Sequence, residues 1–488
     1  MIFKDLIKDE AIMQIIGPET LLDSNIDDLI YVAKEAKVNT VYFALPGRTV
    51  DGLDFIEDAY KLGCRIFIVE KAVHLAEDAL VLVVKDSRQA LSSLSATFFG
   101  NPSRNMKVIG ITGTKGKTTT SQLLYQVLQK IGIAVGVIGT NGSRFFDQVI
   151  STDNTTPESY QIQKIMAQMV EHKVKVCFME VSSQGLMMGR VNHIHFDLAV
   201  FTNMANDHVG DLEHASFEEY LHWKQHLFTM TDHSLINADD AFAANFMGLS
   251  KHYQTYGFNS GADFLASHLD YVKGANYLGS NFLFEKRGSV AIEVSIVSPG
   301  RFSVYNALVV LAVADYLKQD LSQVVEILSF ISVEGRMQII PSKNDVLVIL
   351  DYAHNGFSLE NVILTIQHYD YKRLIVVFGS VGGRSHLRRK ELGDVVAKYA
   401  DLAIITSDNP DFEKPSKIIE DIQQSFAHST CKVYTEEKRE MAIQLAASLA
   451  QDGDIVIFAG KGHENYQLIN GVKEAFDEEE LIRVAFNQ

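Results

Sequence analysis

Short apolar runs recur along the whole chain, separated by stretches in which apolar residues repeat every three or four positions. Strands of a buried parallel sheet are continuous apolar runs, and the helices that cover such a sheet are amphipathic. The pattern therefore predicts an α/β protein. The runs that we predict to be strands cover residues 41–45, 65–69, 80–84, 107–112, 135–139, 174–180, 198–203, 346–351, 374–378, 402–406 and 455–459.

Interruptions of this pattern predict three domains. Asn101-Pro102 ends the first α/β stretch, because the residue before a proline disfavours helix. Between about 263 and 297, polar and apolar residues alternate between glycine-containing turns, which predicts an antiparallel appendage to the second domain. A third alternation follows the helix predicted over 305–317. We therefore expect a small α/β domain, a central domain with a parallel sheet and a Rossmann-like α/β domain, over 1–102, 103–332 and 333–488.

Composition restricts the class of protein. The 488 residues are 47% hydrophobic, and 44 Lys and Arg residues against 61 Asp and Glu residues give a net charge of −17. Disorder and a disulfide scaffold are excluded. The charge opposes a nucleic-acid duplex or an anionic membrane as partner, whereas a small anion in a local basic pocket is compatible with it.

The cysteines and the longest apolar runs predict the compartment. Cys64, Cys177 and Cys431 are odd in number and far apart, which is typical of buried thiols in a reducing compartment. No apolar run approaches the roughly 20 residues that a membrane-spanning helix needs. We therefore expect a cytoplasmic protein without membrane insertion.

A glycine-rich segment follows the strand predicted over 107–112 and precedes a helix predicted over 121–130. Its sequence, GTKGKT at 113–118, is a shortened phosphate loop, because the general motif requires glycine at the position of Ile111. Backbone N–H groups and a helix N-terminus in such a loop bind phosphate, and a lysine adds positive charge. The segment predicts a nucleoside triphosphate site, without choosing among kinase, ATPase and ligase.

A charged residue stands on an apolar helix face further along the chain. Ser216 and Glu219 have capping-box spacing, so we predict that a helix begins there. Lys224 is the charged residue on a stripe of apolar residues spaced three and four apart. Either its stem packs on this face while the ammonium reaches water, or the amine is modified or paired within a site.

Two further polar groups stand at predicted strand ends. Glu180 ends the strand predicted over 174–180, and His208 follows the strand predicted over 198–203. Ligands bind at the carboxyl ends of strands in parallel sheets. With Thr118, these residues could supply oxygen and nitrogen ligands to a divalent cation that bridges ATP to an acceptor.

These residues belong to an ordered set of motifs by which essentially the whole chain resembles the Mur ligases. The resemblance is to the enzymes that add the third amino acid to the peptidoglycan precursor UDP-N-acetylmuramoyl-L-alanyl-D-glutamate. The matching segments are GTKGKT at 113–118, NTTP at 154–157, EVSS at 180–183, TN at 202–203, DH at 207–208, 220–224, Asn306, GRM at 335–337, DYAHN at 351–355, DNP at 408–410 and GKGHENYQ at 460–467.

The resemblance implies an ATP-dependent amide ligase of cell-wall synthesis with Mg²⁺ as cofactor. The γ-phosphate of ATP would go to the side-chain carboxylate of the precursor's D-glutamate, making an acyl phosphate. The amino group of the incoming amino acid would attack that carbonyl, and ADP and phosphate would leave. The resemblance also implies a uridine-binding N-terminal domain and a carbamylated Lys224, which would be a metal-binding carboxylate rather than a cation.

The resemblance assigns residues to each substrate. For ATP they are Gly113, Thr114, Lys115, Gly116, Lys117, Thr118, Thr119, Asn306, Arg336, Asp351 and His354. For the UDP-linked dipeptide they are Ser24, Asn154, Thr155, Thr156, Ser182 and Arg190. For the amino acid they are Arg384, Asp408, Asn409, Pro410, Asp411, Gly460 and Glu464. The implied catalytic residues are Lys117, Glu180, His208 and Lys224, and the implied metal ligands are Thr118, Glu180, His208 and carbamylated Lys224.

Asp411 decides which amino acid we predict. In diaminopimelate-adding Mur ligases an arginine at this position binds the distal carboxylate of the substrate, whereas the carboxylate of Asp411 would repel it. An acidic pocket of Asp408, Asp411 and Glu464 would suit the ammonium group of L-lysine. Gln184 and Gly356 also resemble the lysine-adding members. We therefore predict L-lysine as the third substrate.

Other functions stay open on the sequence alone. L-Ornithine would satisfy the same charges, since one methylene is worth only about 1–3 kcal/mol of discrimination, and meso-diaminopimelate is a further alternative. A folylpolyglutamate synthase shares the central loop and the modified lysine, but it needs no uridine-binding domain. A non-catalytic cell-wall scaffold would be expected to lose catalytic residues that this chain retains. We expect a monomer, because the sequence has no long apolar face or heptad run.

Overall fold

The computed structural model describes residues 1–47, 50–205, 214–274, 277–343, 345–383 and 386–487. The chain forms two compact units, Met1–Thr255 and Tyr256–Gln488. Each unit contains at least one mostly parallel sheet and the helices that cover it, which confirms the predicted α/β class.

The first unit carries a series of strands and helices that alternate along much of its length. Its strands are β1 (Ile12–Ile16), β2 (Asp28–Ile30), β3 (Thr40–Phe43), β4 (Ile66–Val69), β5 (Leu80–Val84), β6 (Lys107–Thr112), β7 (Val135–Gly139), β8 (Gly142–Phe145), β9 (Gln148–Ile150), β10 (Val176–Glu180), β11 (Leu198–Phe201), β12 (His233–Asn237) and β13 (His252–Gly257), which contains the boundary. Its helices are α1 (Phe3–Leu6), α2 (Ile56–Lys61), α3 (Ser87–Phe98), α4 (Lys117–Lys130), α5 (Ser159–Glu171), α6 (Ser183–Met187) and α7 (Phe217–Thr229).

The second unit begins with antiparallel strands and continues with a third α/β alternation. Its strands are β14 (Phe264–Gly274), β15 (Tyr277–Lys286), β16 (Ile292–Ile296), β17 (Gln338–Ile340), β18 (Leu347–Asp351), β19 (Leu374–Phe378), β20 (Leu402–Thr406), β21 (Lys432–Glu436), β22 (Ile455–Ala459), β23 (Tyr466–Ile469) and β24 (Val472–Ala475). Its helices are α8 (Arg301–Tyr316), α9 (Leu321–Leu328), α10 (Gly356–Ile366), α11 (His386–Tyr399), α12 (Pro415–Gln423), α13 (Arg439–Leu449) and α14 (Glu478–Phe486).

Two sheets build the first unit. The N-terminal sheet has the order β1-β5-β4-β3-β2, with β1 antiparallel to its neighbour and the other pairs parallel. In the other sheet the strands lie in the order β12-β11-β6-β10-β7-β8-β9, and β6 pairs in parallel with both β10 and β11. The carboxyl ends of β6, β10 and β11 therefore lie side by side, at a point where ligands bind in parallel sheets.

The C-terminal sheet of the second unit has the order β17-β18-β22-β19-β20-β21, and only β17 among them is antiparallel. Apolar residues on both faces of this sheet are buried under the covering helices. Strand β15 pairs antiparallel with β14 and with β16, as the alternating pattern over 263–297 predicts. The carboxyl ends of β18, β20 and β22 carry the motif residues of this unit.

The structure also bears on the predictions about compartment. Within the described ranges, no helix has both the length and the apolar character that a membrane crossing requires. All three cysteines are buried free thiols, as predicted. Burial raises the pKa of Cys177 to about 12, so this thiol is protonated at neutral pH.

A fully buried ion pair joins α13 to α14. Arg439 Nε donates to Glu478 Oε1 at 2.7 Å, and both side chains are completely enclosed. The remaining guanidinium N–H groups donate to the carbonyls of Ala459 at 2.9 Å and Ser407 at 3.3 Å. Arg439 therefore ties the segments that leave β20 and β22 to the last helix.

We expect Glu478→Ala to lower the free energy of unfolding by about 3–5 kcal/mol, because it leaves the Arg439 charge buried without its partner. Urea unfolding followed by circular dichroism measures the loss. Glu480→Ala is the matched control, since Glu480 is exposed in the same first turn of α14, and it should change stability by less than about 0.5 kcal/mol. Equal stability of the two variants would contradict the assignment.

Candidate active site

The glycine-rich loop lies at the carboxyl end of β6. Gly113 and Gly116 have φ angles of 147° and 86°, and a Cβ on Gly113 would lie 2.0 Å from Thr202 Oγ1. Both positions therefore require glycine. The segment after β11 holds the loop: Lys115 N donates to Asn203 Oδ1 and Asn203 Nδ2 donates to Lys115 O, each at 2.9 Å.

Lys117 is the first residue of α4, which begins earlier than the helix predicted over 121–130. Its Nζ donates to the carbonyl oxygens of Gly113 at 2.7 Å and Thr114 at 3.3 Å, so the ammonium lies on the loop itself. Gly116, at the N-cap, offers no side chain to the first N–H groups of the helix. A helix N-terminus and an adjacent ammonium are a favourable environment for phosphate.

Glu180 lies beside this loop and is completely buried. Its Oε2 accepts hydrogen bonds from the hydroxyls of Thr118 at 2.8 Å and Thr140 at 3.0 Å. Its Oε1 accepts from the Ser121 hydroxyl and the Thr140 N–H, both at 3.2 Å. The carboxylate is therefore fixed in one orientation, with one oxygen next to the hydroxyl that the sequence predicts to hold a metal.

Lys224 lies beneath the same loop. It is 1% exposed, and its Nζ donates to Gly113 O at 2.9 Å and lies 4.5 Å from the ring centroid of Tyr220. The interpretation in which this ammonium reaches water is wrong, because the helix face packs against the loop rather than against solvent. Tyr220 continues the contact through its hydroxyl, which donates to Thr114 Oγ1 at 3.1 Å.

Only part of the predicted metal site can be described. His208 lies outside the described residues, as does Arg384 of the predicted amino-acid site. In the ranges that the structure covers, no three His, Cys, Asp or Glu side chains are grouped so as to hold a metal ion. Thr118 and Glu180 nevertheless bring two oxygen atoms within 2.8 Å of each other, and oxygen is the donor that Mg²⁺ prefers.

The residues predicted for the UDP-linked dipeptide are partly brought together. Thr156 Oγ1 donates to Glu180 O at 2.9 Å and accepts from Ser182 N at 2.9 Å. Arg190 Nη1 donates to Thr156 O at 2.9 Å, and burial lowers the pKa of Arg190. Thr155 is hydrogen-bonded through its hydroxyl to that of Thr140 at 3.0 Å.

The other two residues of this predicted set, Asn154 and Ser24, are not joined to these four by a hydrogen bond between described residues. Asn154 is exposed in the segment before Thr155, and Ser24 follows the 3-10 helix Glu19–Asp23. The Ser24 carbonyl accepts from Phe3 N at 3.0 Å, which ties this residue to the start of the chain.

In the second unit, the predicted ATP residues lie at the end of β18, on α8 and, for Arg336, just before β17. Asp351 is buried and its carboxylate accepts two backbone N–H groups, from Met337 at 2.7 Å and Ala353 at 2.8 Å. Burial raises the pKa of Asp351, and the nearby Arg336 opposes this shift. The Arg336 guanidinium lies 4.6 Å from the ring centroid of Tyr352. The remaining two residues are His354, which follows β18, and Asn306 of α8.

The residues predicted for the amino acid come together from the ends of β20 and β22. Asn409 Nδ2 donates to Glu464 Oε2 at 3.0 Å. A Cβ on Gly460 would lie 2.8 Å from Asp408 Oδ2, so the glycine allows the Asp408 carboxylate to approach the backbone. Pro410 packs closely as well, because a Cβ on Gly382 would lie 1.9 Å from its carbonyl oxygen.

The acidity predicted for this pocket is largely compensated. Lys461 Nζ lies 2.9 Å from Glu464 Oε2 and 3.8 Å from Asp408 Oδ1. Burial holds the pKa of Asp408 above its ordinary value, and the charges of Arg439 and Lys461 oppose this shift without cancelling it. The sequence predicts an acidic pocket of Asp408, Asp411 and Glu464, and the structure adds two buried cations, Lys461 and Arg439, beside the first and third of these acids.

Asp411, which the sequence predicts to face the amino-acid substrate, has a partner within the protein. Its φ angle is 51°, and its Oδ1 accepts the N–H of Gly471 at 2.7 Å, so the carboxylate holds the turn between β23 and β24. Asp411 also lines a pocket of about 500 Å³, in which Lys414, Lys438 and the exposed Phe412 take part.

Several residues of these sites were not predicted from the sequence. Thr140, Ser121 and Arg439 lie outside the motifs, and no signal in the sequence indicates their contacts. Lys461 and Tyr352 lie within the quoted motifs GKGHENYQ and DYAHN, so the motif itself was the signal.

Family models match most of the chain. They are the Mur ligase family catalytic domain over residues 35–99, the Mur ligase middle domain over 111–314 and the Mur ligase glutamate ligase domain over 335–462. The chain belongs to the Mur ligase family. It is accordingly an ATP-dependent amide ligase of peptidoglycan synthesis, and the expected reaction class is confirmed.

Individual Mur ligases match this chain over nearly its whole length. It is 37% identical over 461 residues, 94% of each chain, to the UDP-N-acetylmuramoyl-L-alanyl-D-glutamate–2,6-diaminopimelate ligase of Caldanaerobacter subterraneus subsp. tengcongensis. It is 34% identical over 490 residues, 99% of each chain, to the ligase of the same name from Clostridium perfringens. Both relatives are named as ligases of 2,6-diaminopimelate, so they do not support the prediction of L-lysine as the third substrate.

Solved structures agree with the fold. A diaminopimelate ligase of the same name aligns with a TM-score of 0.70 and 27% identity, covering 100% of this chain and 98% of that one. The MurF ligase of Thermotoga maritima in complex with ADP aligns with a TM-score of 0.61 at 19% identity, which supports the fold alone. A folylpolyglutamate synthase of Mycobacterium tuberculosis complexed with ADP aligns over only 76% of this chain, with a TM-score of 0.62 at 18% identity.

We expect Gly139→Ala to weaken ATP binding at least about tenfold. The new Cβ would lie 2.1 Å from Glu180 Oε1, so the carboxylate must leave its hydrogen bonds to Thr118 and its neighbours, each worth about 1.5–3 kcal/mol. Isothermal titration calorimetry with ATP and Mg²⁺ measures the change. Gly261→Ala is the control, because the nearest atom to its new Cβ is 3.5 Å away. Unchanged affinity in Gly139→Ala would refute this role of Glu180.

Proposed function

We propose that this Mur ligase adds meso-2,6-diaminopimelate to the side-chain carboxylate of D-glutamate in UDP-N-acetylmuramoyl-L-alanyl-D-glutamate. The observation that carries the proposal is the 34–37% identity, over nearly the full length, to relatives named for this reaction. The buried Lys461 and Arg439 are compatible with it, because they compensate Asp408 and Glu464 and reduce the repulsion of a substrate with two carboxylates.

The loop at 113–118 would bind the triphosphate of ATP through its N–H groups, with Lys117 neutralising negative charge. The D-glutamate carboxylate oxygen attacks the γ-phosphorus, so that ADP leaves and an acyl phosphate forms. The amine of the incoming amino acid then attacks the acyl carbon, the C–O bond to phosphate breaks, and the amine gives up a proton. Because two anions must meet, positive charge at the loop is the main requirement.

Mg²⁺ is part of this proposal, because the oxygen atoms of Thr118 and Glu180 are suitable ligands and lie together at the loop. When bound, the ion would neutralise charge on the phosphates. Lys224 and Lys117 both donate to the carbonyl of Gly113, which places two positive charges on one acceptor. Carbamylation of Lys224 would remove one of these charges and supply a carboxylate next to the loop, while His208 stays a predicted ligand.

The remaining assignments follow the same scheme. The cluster of Thr155, Thr156, Ser182 and Arg190 would bind the sugar-peptide, and Ser24 the uridine end. We keep the three domain intervals 1–102, 103–332 and 333–488 as part of the proposal, with one substrate assigned to each in the order nucleotide-sugar, ATP and amino acid. A cytoplasmic location and a monomer complete it.

L-Lysine is the second candidate, and Asp411 is the observation that favours it. Diaminopimelate-adding members carry arginine at this position, whereas here a carboxylate lines the neighbouring pocket. A lysine substrate would bring no second carboxylate against it.

Phosphate release with ATP, Mg²⁺ and the UDP-linked dipeptide tests the proposal against meso-diaminopimelate, L-lysine and L-ornithine in turn. We expect kcat/KM for meso-diaminopimelate to exceed that for either alternative by at least about tenfold, since a mismatched charge costs more than about 1.4 kcal/mol. A preference for L-lysine would overturn the choice of amino acid. Absence of phosphate release with all three amino acids would overturn the proposed function.

Asp411→Asn sharpens the same experiment. Asparagine tolerates the positive φ angle and keeps an oxygen for the Gly471 N–H, so the turn should stay intact while one negative charge is removed. With meso-diaminopimelate as substrate its KM should fall, and with L-lysine as substrate its KM should rise.

We expect Lys224→Ala to reduce kcat at least about 10³-fold without recovery on addition of bicarbonate, because the side chain that would carry the carbamate is gone. His222→Ala, exposed on the same helix, should retain wild-type turnover. Ordinary turnover by Lys224→Ala in the phosphate-release assay would refute the carbamate role.

A further inference from the structure

Lys461, in the segment GKGHE, is a completely buried lysine with acceptors for all three ammonium protons. Its Nζ donates to Asn409 Oδ1 at 2.8 Å, to Glu464 Oε2 at 2.9 Å and to the carbonyl oxygen of Tyr466. Burying an ammonium is costly unless it is fully hydrogen-bonded, and here the bonds reach two of the residues predicted to bind the amino acid.

The bond to Lys461 fixes the amide of Asn409. Asn409 Oδ1 accepts from Lys461 and also from the N–H of Leu468 at 2.9 Å, so the oxygen faces the interior. The Nδ2 group consequently points the other way and donates to Glu464 Oε2 at 3.0 Å. An amide has two N–H bonds, and only one of those of Asn409 has an acceptor among the described residues, so the other can serve a ligand.

Lys461 also determines the charge of Glu464. Burial raises the pKa of this carboxyl, but the Lys461 charge and the hydrogen bonds from Lys461, Asn409 and Tyr352 outweigh burial and bring the pKa below its ordinary value. The Glu464 side chain is 15% exposed and lines a pocket of about 250 Å³, so a ligand can reach this residue. Asp408 and Glu478 lie nearby, and within the described part of the chain Arg439 is the other cation whose charge acts on these acids.

An ionised carboxylate beside an amide N–H matches the two charged ends of an amino acid, since ammonium needs an acceptor and carboxylate a donor. We propose that Lys461 is a positioning residue for the incoming amino acid: it holds Glu464 and Asn409 in the arrangement that binds the substrate's ammonium and carboxylate groups. This inference rests on the proposed function. A merely structural role would be to hold the β23–β24 hairpin through Tyr466.

Lys461→Met tests the inference, because it keeps the length of the side chain and removes the ammonium. We expect its KM for the preferred amino acid to rise at least about tenfold, because this is the effect of losing one hydrogen bond to a charged group. The KM values for ATP and for the UDP-linked dipeptide should stay within about twofold of wild type. Lys473→Met is the matched control. Both ammonium groups lie near the Tyr466 ring, with Lys473 Nζ 4.6 Å and Lys461 Nζ 5.1 Å from its centroid. Lys473 differs in being exposed, so it matches the aromatic contact without the burial. Its three KM values should be those of wild type.

The pH profile separates positioning from structural support. Binding of the ammonium requires ionised Glu464, so kcat/KM for the amino acid falls as pH drops through the pKa of this group. Without the Lys461 charge, burial raises the pKa of Glu464. The acidic limb of the kcat/KM profile should therefore move to higher pH in Lys461→Met and stay in place in Lys473→Met. A residue that only supports the hairpin would lower activity without moving the limb.

Tyr352→Phe keeps the inference testable if Lys461→Met does not fold. It removes one donor to Glu464 Oε1, at 3.2 Å, without burying an unpaired charge, so the acidic limb should move in the same direction by a smaller amount. An unmoved limb in the folded variants would overturn the positioning role while leaving the proposed function intact. No turnover by the wild-type protein with any of the three amino acids would overturn the proposed function, and this inference with it.

Discussion

The contact between Gly113 and the end of β11 is the constraint on which the site of the first unit depends. Since a Cβ at this position would lie 2.0 Å from Thr202 Oγ1, the loop can leave β6 along this path only with glycine. That path turns the Gly113 carbonyl toward Lys117 and Lys224, and it allows Asn203 to bind Lys115 through both atoms of its amide. Lys224 can therefore lie on an apolar helix face, because its ammonium donates to the carbonyl oxygen that this path of the loop presents.

The strand pattern was predictable because burial on both faces produces continuous apolar runs. Central strands such as β19, β20 and β22 have the predicted bounds. The pattern missed β1, β2, β8, β9, β12, β13, β17, β21, β23 and β24. Most of these are short or lie at a sheet edge, and β21, for example, has no residue buried enough to extend an apolar run. Local hydrophobicity indicates a strand only where both faces are covered.

The site was predictable in its motifs but not in its charges. Glycines, Lys117 and Glu180 could be recognised because their spacing follows from the strand–loop–helix order. Arg439 gave no such signal: within the sequence EEKREMAI it resembles any solvated charge, yet it is buried against Glu478. Charge compensation depends on which segments meet in space, so an acidic residue count along the chain overestimated the acidity around Asp408 and Glu464.

Asp411 shows how the type of residue at one position determines which contacts that position can make. A carboxylate here can accept the N–H of Gly471, which lies in the turn between β23 and β24, whereas an arginine side chain has no acceptor to offer that N–H. The Asp411 carboxylate, which would repel a distal carboxylate, thus already accepts a hydrogen bond from a backbone N–H. This bond reduces its capacity to attract an ammonium group. Its negative charge alone therefore does not decide between a substrate with one carboxylate and a substrate with two, because the cations Arg439, Lys414 and Lys438 line the same pocket.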